Sequence, residues 1–179
     1  MEHIKRRGDL AKHFAQLGFT KGAEVGVADG RFSEYLCKVI PHLQLICVDP
    51  WEKYPDNKRY RGYSRRDGNR PNEELARERM DPYNAMMLKE FSMDAVRNIP
   101  IDSLDFVYID AHHDFDYVMQ DIIEWSKRVK KGGIISGHDY YDFISSGVKE
   151  AVDVYMVAHK IPNLYLTQEK EPSWYFVKT

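Results

Sequence analysis

Residues 23–30 read Ala-Glu-Val-Gly-Val-Ala-Asp-Gly, an apolar run that turns at two glycines. The run predicts a buried strand, and Arg31 directly after Gly30 predicts the start of a helix. Such a turn leaves backbone N–H groups unpaired at the positive end of the helix, where a charged or phosphate-bearing small molecule can bind. Glycines at these positions can also serve the geometry of the turn alone. The spacing is Glu-x-Gly-x-x-x-Gly, whereas dinucleotide sites carry Gly-x-Gly-x-x-Gly. An acidic residue ahead of the glycines would repel a pyrophosphate but suits an amino group.

The size and composition are those of one globular domain, residues 1–179, with a continuous core. Lysine and arginine number 26 against 28 acidic residues, a net charge of -2, which gives no general attraction to nucleic acid or an anionic membrane. No apolar run approaches the roughly 20 residues of a membrane-spanning helix, and the N-terminus lacks a signal-peptide core. We therefore expect a cytoplasmic protein in which Cys37 and Cys47 are free thiols. The sequence leaves the oligomeric state open.

Periodicity predicts strands that alternate with helices. The expected helices are 3–17, 31–40, 117–130 and 148–160, and the expected strands are 23–28, 43–48, 85–88, 104–109 and 133–136. Residues 164–166 and 174–177 predict a terminal hairpin. This order predicts an α/β fold: a doubly wound, mostly parallel sheet with helices on both faces and an antiparallel C-terminal hairpin. Ligands of such sheets bind beyond the carboxyl ends of the strands.

Residues 50–71 interrupt this rhythm with a polar segment that has no periodicity. We interpret this segment as a lid inserted into the domain. Its basic and aromatic residues are Arg59, Arg61, Arg65, Arg66 and Arg70 together with Tyr54, Tyr60 and Tyr63. Arginine forks and tyrosine rings suit an anionic or sugar-like small molecule. The alternative is a solvated surface loop that is neutralised by Glu73, Glu74 and Glu78.

Two strand ends offer polar groups to a nucleoside. Asp49 ends the second strand, where its carboxylate can accept hydrogen bonds from both ribose hydroxyls or can cap the turn before Pro50. Ser92 and Met93 follow the third strand, where they can border an adenine. Ser92 can equally cap the short helix that follows.

The fourth and fifth strands end in acidic residues and histidines. Asp110 ends the fourth strand and is followed by His113, while His138 and Asp139 end the fifth. Because adjacent strands lie about 4.8 Å apart, Asp110, His138 and Asp139 could converge on a magnesium or manganese ion. The alternatives are helix capping, direct substrate binding, or acid–base chemistry without a metal.

Four segments in order resemble the class I S-adenosylmethionine (SAM)-dependent methyltransferases, and within them the small O-methyltransferase-like group related to macrocin O-methyltransferases. They are residues 24–30, 47–51, 103–115 and 132–140. The resemblance covers most of the chain and implies a Rossmann-like fold with SAM as cofactor. SAM has no phosphate but carries an amino group and a ribose, so an acidic residue leading the glycine turn fits it better than NAD.

The resemblance also implies roles for individual residues. The implied cofactor-binding residues are Glu24, Gly26, Ala28, Gly30, Asp49, Pro50, Trp51, Ser92, Met93 and Asp110. Metal-dependent relatives hold magnesium with acidic residues at the positions of Asp110, His138 and Asp139, and this chain departs from them at His138. We expect Asp110 and either His113 or His138 to act in catalysis, with a histidine removing the acceptor proton.

The predicted function is thus SAM-dependent methylation of an oxygen on a small molecule, with or without a divalent ion. We expect neither a nucleic acid nor a membrane as partner. Two alternatives remain. One is a nucleotide-binding module without catalysis, and the other is a metal-dependent hydrolase that uses Asp110, His113, His138 and Asp139.

Overall fold

A computed structural model describes residues 4–54, 70–142 and 146–179, whose strands form one seven-stranded sheet. The strands are β1 (Lys21–Val25), β2 (Gln44–Val48), β3 (Ala85–Leu88), β4 (Leu104–Ile109), β5 (Val129–Gly137), β6 (Tyr165–Leu166) and β7 (Trp174–Val177). They lie in the order β3-β2-β1-β4-β5-β7-β6. Strands β1 to β5 pair in parallel, whereas β7 is antiparallel to both β5 and β6. The predicted α/β fold class with its antiparallel C-terminal hairpin is confirmed.

Within the described residues, six α-helices connect and cover these strands. They are α1 (Arg7–Gln16), α2 (Arg31–Val39), α3 (Asn72–Met80), α4 (Ser92–Ala95), α5 (Phe115–Arg128) and α6 (Val148–Ala158), with a 3-10 turn at Val96–Asn98. Four of them overlap the predicted helix ranges, and α4 is the short helix that was expected to follow Ser92. Helix α1 begins at Arg7 rather than at residue 3. Helix α3 was not predicted.

The side chains of the sheet alternate between two hydrophobic cores, one on each face. In β4, Phe106 and Tyr108 pack with residues of α1, α2 and α3. Val107 and Ile109 point to the other face, where they pack with α4, α5 and α6. This period of two is what a sheet that is covered on both faces requires. The helices thereby hold the carboxyl ends of β1, β2, β4 and β5 at one edge of the sheet.

Three further predictions concern the lid, the cysteines and the membrane. Most of the predicted lid, residues 55–69, lies outside the described residues. At its described end, Arg70 donates hydrogen bonds to Glu74 and Glu78, as the surface-loop interpretation expects. Cys37 and Cys47 are free thiols, as predicted. None of the helices within the described ranges is both long enough and apolar enough to cross a bilayer.

Candidate functional site

The glycine turn after β1 brings two strand tips into direct contact. Gly26 adopts φ +93°, and a Cβ there would lie 2.0 Å from the backbone oxygen of Asp110. Gly30 begins α2 with φ +80°, and its Cβ would lie 2.9 Å from the Cα of Ala76 in α3. Only glycine fits either position, because each combines a positive φ with a close backbone approach. The turn therefore packs against both β4 and α3.

Asp49 holds this turn with its carboxylate. Its Oδ2 accepts hydrogen bonds from the N–H groups of Val27 at 3.0 Å and Ala28 at 2.9 Å. Its Oδ1 accepts one from the N–H of Trp51 at 2.7 Å. Burial raises the pKa of Asp49, although these N–H groups act in the opposite direction. A carboxylate offers about four acceptor positions, so about one remains for a ligand hydroxyl. Through the Trp51 N–H, Asp49 caps the turn at Pro50, as the alternative interpretation expected, and it also holds the glycine turn, with one acceptor position left for a ligand hydroxyl.

A cleft of about 720 Å³, including the solvent at its mouth, opens beside Asp49. The cleft is lined by Val25, Gly26, Ala28, Val48, Asp49, Pro50, Trp51, Glu52, Lys53, Tyr54, Asn72, Ser92, Asp110 and Ala111. Seven of the ten predicted cofactor-binding residues are in this set. The other three, Glu24, Gly30 and Met93, are not.

Glu24 is buried beneath the turn rather than exposed to the cleft. The hydroxyl of Ser33 donates a hydrogen bond to its carboxyl group. Burial raises the pKa of Glu24 to about 8, which favours the neutral form at neutral pH. The sequence argument that Glu24 repels a pyrophosphate depends on a charged carboxylate at the cleft, whereas this group lies beneath the turn and its raised pKa favours the neutral form.

Ser92 and Met93 are held by the protein itself. The hydroxyl of Ser92 donates a hydrogen bond to Asp121 and accepts one from Nε1 of Trp125 at 2.8 Å. The Met93 side chain packs against the core under α5 rather than lining the cleft. Ser92 remains at the cleft wall, but its hydroxyl is already engaged by α5.

Three potential metal ligands meet at the tips of β4 and β5. The Nε2 atom of His113 lies 3.2 Å from Oδ2 of Asp139 and 3.7 Å from Oδ1 of Asp110. One ligand atom from each of these residues lies within 4.8 Å of the others. The structure thus groups His113 with the two aspartates, where the sequence had suggested His138. Backbone geometry explains the difference, because Asp139 adopts φ +61° and directs its carboxylate between the two histidines.

The charges of this cluster stabilise one another. Burial alone would raise the pKa of Asp110, but the nearby His113 imidazole and the charges of His138 and Arg7 lower it below its ordinary value. Burial alone would lower the pKa of His113, but the nearby carboxylates of Asp110 and Asp139 raise it. An acidic group and a basic group are therefore both biased toward their charged forms.

His138 lies beside this group with a different geometry. Its Nδ1 is 3.1 Å from Oδ1 of Asp139, while Nε2 has no hydrogen-bond partner among the described residues. Burial lowers the pKa of His138, but the Asp139 hydrogen bond and the charge of Asp110 outweigh it and raise the pKa. A carboxylate on Nδ1 favours the neutral tautomer that carries its proton there, which leaves Nε2 as an acceptor.

Sequence reasoning missed two residues at this site. Asn72 at the start of α3 lines the cleft, as does Tyr54, which the sequence had assigned only to the lid. Arg7 at the start of α1 lies 3.8 Å from Oδ2 of Asp110. Asn72 and Arg7 reach the site only through tertiary packing, so no local sequence pattern pointed to them.

The comparison with protein-family models identifies the chain. A model of the methyltransferase domain matches residues 23–140, which include the glycine turn, Asp49, Asp110 and His138. The chain belongs to this methyltransferase family. The resemblance that the sequence motifs had indicated is thereby confirmed. No curated protein matches the sequence significantly.

Solved structures share the methyltransferase fold at low sequence identity. An O-methyltransferase from Bacillus cereus in complex with S-adenosylhomocysteine (SAH) is 14% identical, with a TM-score of 0.66 over 96% of this chain and 80% of that one. The O-methyltransferase TomG from Streptomyces achromogenes, involved in tomaymycin synthesis and in complex with SAM, is 14% identical, with a TM-score of 0.66 over 97% and 80%. A precorrin-6y C5,15-methyltransferase from Geobacter metallireducens is 11% identical, with a TM-score of 0.64 over 94% and 87%.

These likenesses concern the fold. An O-methyltransferase and a C5,15-methyltransferase share this fold. The fold by itself therefore does not determine which atom receives the methyl group. The acceptor must be inferred from the side chains of the site.

Proposed function

We propose that this methyltransferase uses SAM to methylate an oxygen on a small-molecule hydroxyl compound. One observation carries the proposal: the cleft is lined by both Asp49 and Asp110, and Asp110 belongs to an Asp–His cluster with His113 and Asp139. A nucleoside bound in the cleft would place its reactive end beside groups that can remove a proton. Relatives of the same fold that are bound to SAM or SAH support the choice of cofactor.

The cofactor would lie along the tips of β1 and β2. The remaining acceptor position of Asp49 suits one ribose hydroxyl, and Gly26 allows the ligand to approach the backbone closely. SAM carries no phosphate. It therefore does not need the full set of free turn N–H groups, two of which Asp49 already occupies.

His138 is our candidate for the general base. The acceptor oxygen would attack the methyl carbon, the C–S bond would break, and sulfur would keep the electron pair as SAH forms. The hydroxyl proton would pass to Nε2 of His138, while Asp139 holds Nδ1 and stabilises the resulting imidazolium. His113 is less suited to this role because its Nε2 already faces two carboxylates.

The Asp110, His113 and Asp139 group fits a divalent cation. Two carboxylates and one imidazole at this spacing match the donors that magnesium or manganese accepts, with water completing the coordination. When bound, such an ion would lower the pKa of the acceptor hydroxyl. The three side chains would otherwise position the acceptor beside His138.

The acceptor class is argued from the net charge of the chain and from the arginines of the predicted lid. A net charge of -2 argues against a nucleic acid. An anionic or sugar-like acceptor remains a proposal, because the arginines from 59 to 66 lie outside the described residues. Arg70 is engaged by two glutamates instead.

Cofactor binding tests the proposal first. Isothermal calorimetry should detect SAM and SAH but neither NAD nor ATP. Asp49→Ala should weaken SAH binding by about 10- to 100-fold, because it removes a charged acceptor from the cleft wall. His113→Ala should change it much less, since His113 does not line the cleft. Binding of NAD or ATP without SAM would contradict the proposal and support a nucleotide-binding module.

Activity tests the assignment of the base. With radiolabelled SAM and a panel of phenolic and sugar hydroxyls, His138→Gln should lower kcat by about 100-fold or more, with SAH affinity unchanged. His42→Gln is the matched control, since His42 lies on the turn before β2. EDTA distinguishes activation of the hydroxyl by a divalent ion from activation by His138. A methylation rate that EDTA leaves unchanged excludes an essential divalent ion.

A further inference from the structure

Arg7 begins helix α1, and its side chain reaches the start of α2 beside the glycine turn. Its guanidinium lies over the ring of Phe32, 5.0 Å from the ring centroid. Its NH1 is 3.8 Å from Oδ2 of Asp110, a residue of the cleft wall. Phe32 belongs to the first turn of α2, directly after the glycine turn. Arg7 thus lies beside Asp110, which belongs both to the cleft wall and to the Asp–His cluster, and beside the start of α2.

The hydrogen-bonding capacity of this guanidinium is unused. A separation of 3.8 Å exceeds the 2.7–3.2 Å of an N–H···O hydrogen bond, so Asp110 attracts Arg7 without satisfying its donors. Within residues 4–54, 70–142 and 146–179, the guanidinium donates no hydrogen bond, although it has five N–H groups. The side chain is 35% exposed. A planar set of donors therefore remains open beside the cleft.

The protein holds Arg7 in this position before any ligand arrives. The backbone N–H of Arg7 donates a hydrogen bond to Oε2 of Glu169 at 2.8 Å. The backbone N–H of Gln168 donates one to the oxygen of Lys5 at 2.9 Å. The turn between β6 and β7 thus fixes the first turn of α1, and the ring of Phe32 supports the guanidinium from below. Such preorganisation lowers the entropic cost of binding.

We propose that Arg7 binds the α-carboxylate of the cofactor's methionine moiety, an inference that rests on the proposed use of SAM. The planar guanidinium matches a carboxylate with two parallel hydrogen bonds. The start of α2 adds a partial positive charge on the same side, because its N-cap is Gly30, which has no side chain to neutralise it. An anionic acceptor has the same chemistry, so the test must distinguish the two sources of the carboxylate.

A pair of ligands isolates the contribution of the carboxylate. SAH carries the amino acid portion, whereas 5′-methylthioadenosine has the same adenosine thioether without it. By calorimetry, Arg7→Gln should weaken SAH binding by about 10- to 100-fold and leave methylthioadenosine binding within about twofold. Arg7→Lys, which keeps the charge but loses the fork, should give an intermediate loss for SAH alone. The control is Arg6→Gln, which removes an equal charge from an exposed neighbouring residue and should alter neither affinity.

Three outcomes would overturn the assignment, and they have different meanings. If Arg7→Gln binds SAH as tightly as the parent does, the guanidinium does not hold the cofactor and an anionic acceptor becomes its ligand. If both ligands weaken equally, Arg7 supports the shape of the cleft rather than the carboxylate. If the parent protein binds no SAH, the proposed function itself fails. Thermal unfolding of each variant shows whether it is folded.

Discussion

Gly26 is held in a backbone conformation that other residues rarely adopt, with no room for a side chain. Its φ of +93° and the 2.0 Å approach of the Asp110 oxygen predict that Gly26→Ala strains the turn and separates β1 from β4. We expect a loss of about 2 kcal/mol or more in the free energy of unfolding, measured with urea. Gly18→Ala is the matched control. Gly18 has φ +73° but nothing within 4 Å of its Cβ position, so only the cost of a positive φ remains. Equal losses in the two variants would contradict a steric role for Asp110.

At the scale of residues, the sequence predicted which residues lie at the cleft better than it predicted how their side chains are oriented. Asp49 and Asp110 could be placed at the cleft because each follows an apolar run, and strand ends meet at one edge of a parallel sheet. The burial of Glu24 could not be read in the same way, because its partner is the hydroxyl of Ser33, which lies in the helix after the glycine turn. The roles of His113 and His138 also depend on which ring nitrogen faces Asp139, and that follows from backbone angles.

At the scale of elements, α4 and α5 are joined through a buried acid. Asp121 in α5 accepts a hydrogen bond from Ser92 in α4, and burial raises its pKa from the ordinary 3.8 to about 7. The folded protein therefore binds this proton more tightly than the unfolded chain does. The resulting stabilisation is complete below about pH 4 and is lost as the pH rises to about 7. Asp121→Asn, which cannot ionise, should thus reduce the fall in stability between pH 5 and 7.

The control for Asp121→Asn is the same substitution at an acid that is not buried. Asp94 in α4 is exposed and pairs with Arg97 at 3.1 Å, so Asp94→Asn should leave the slope of stability against pH close to that of the parent. Urea unfolding at several pH values measures both variants. A parent and an Asp121→Asn variant with the same slope would show that Asp121 is ionised in the folded protein at pH 5.

Helix α3 is the element that hydrophobic periodicity missed. Only four of its nine residues are buried, and two of the four, Asn72 and Ala76, are not strongly hydrophobic. The helix is instead stabilised by charge pairs such as Arg77 with Glu73, four residues apart at 3.0 Å. Its acidic first turn and basic last turn are a helix signal that charge patterning could have found. Because α3 contributes Asn72 to the cleft, missing the helix also meant missing a wall of the site.

At the scale of the whole molecule, the alternation of strands and helices predicted the fold class because each element must bury one face. The order of the strands in the sheet does not follow from this alternation. The sheet reverses its winding between β1 and β4, and the cleft opens beside these strands. That reversal follows from how the helices distribute between the two cores, as with α1, α2 and α3 on one face and α4, α5 and α6 on the other.

Binding at this edge should stabilise the whole fold, since a ligand there contacts residues from β1, β2 and β4 together. SAH at about 100 times its Kd should add about 2.7 kcal/mol to the free energy of unfolding. For a domain of this size, that corresponds to a rise in Tm of about 5–10 °C in a thermal unfolding scan. Asp49→Ala at the same SAH concentration should show a much smaller rise, because its affinity is lower. A larger rise with NAD or ATP than with SAH would mean that the cleft selects a phosphate-bearing ligand. The turn N–H groups that Asp49 occupies would then have to be released on binding.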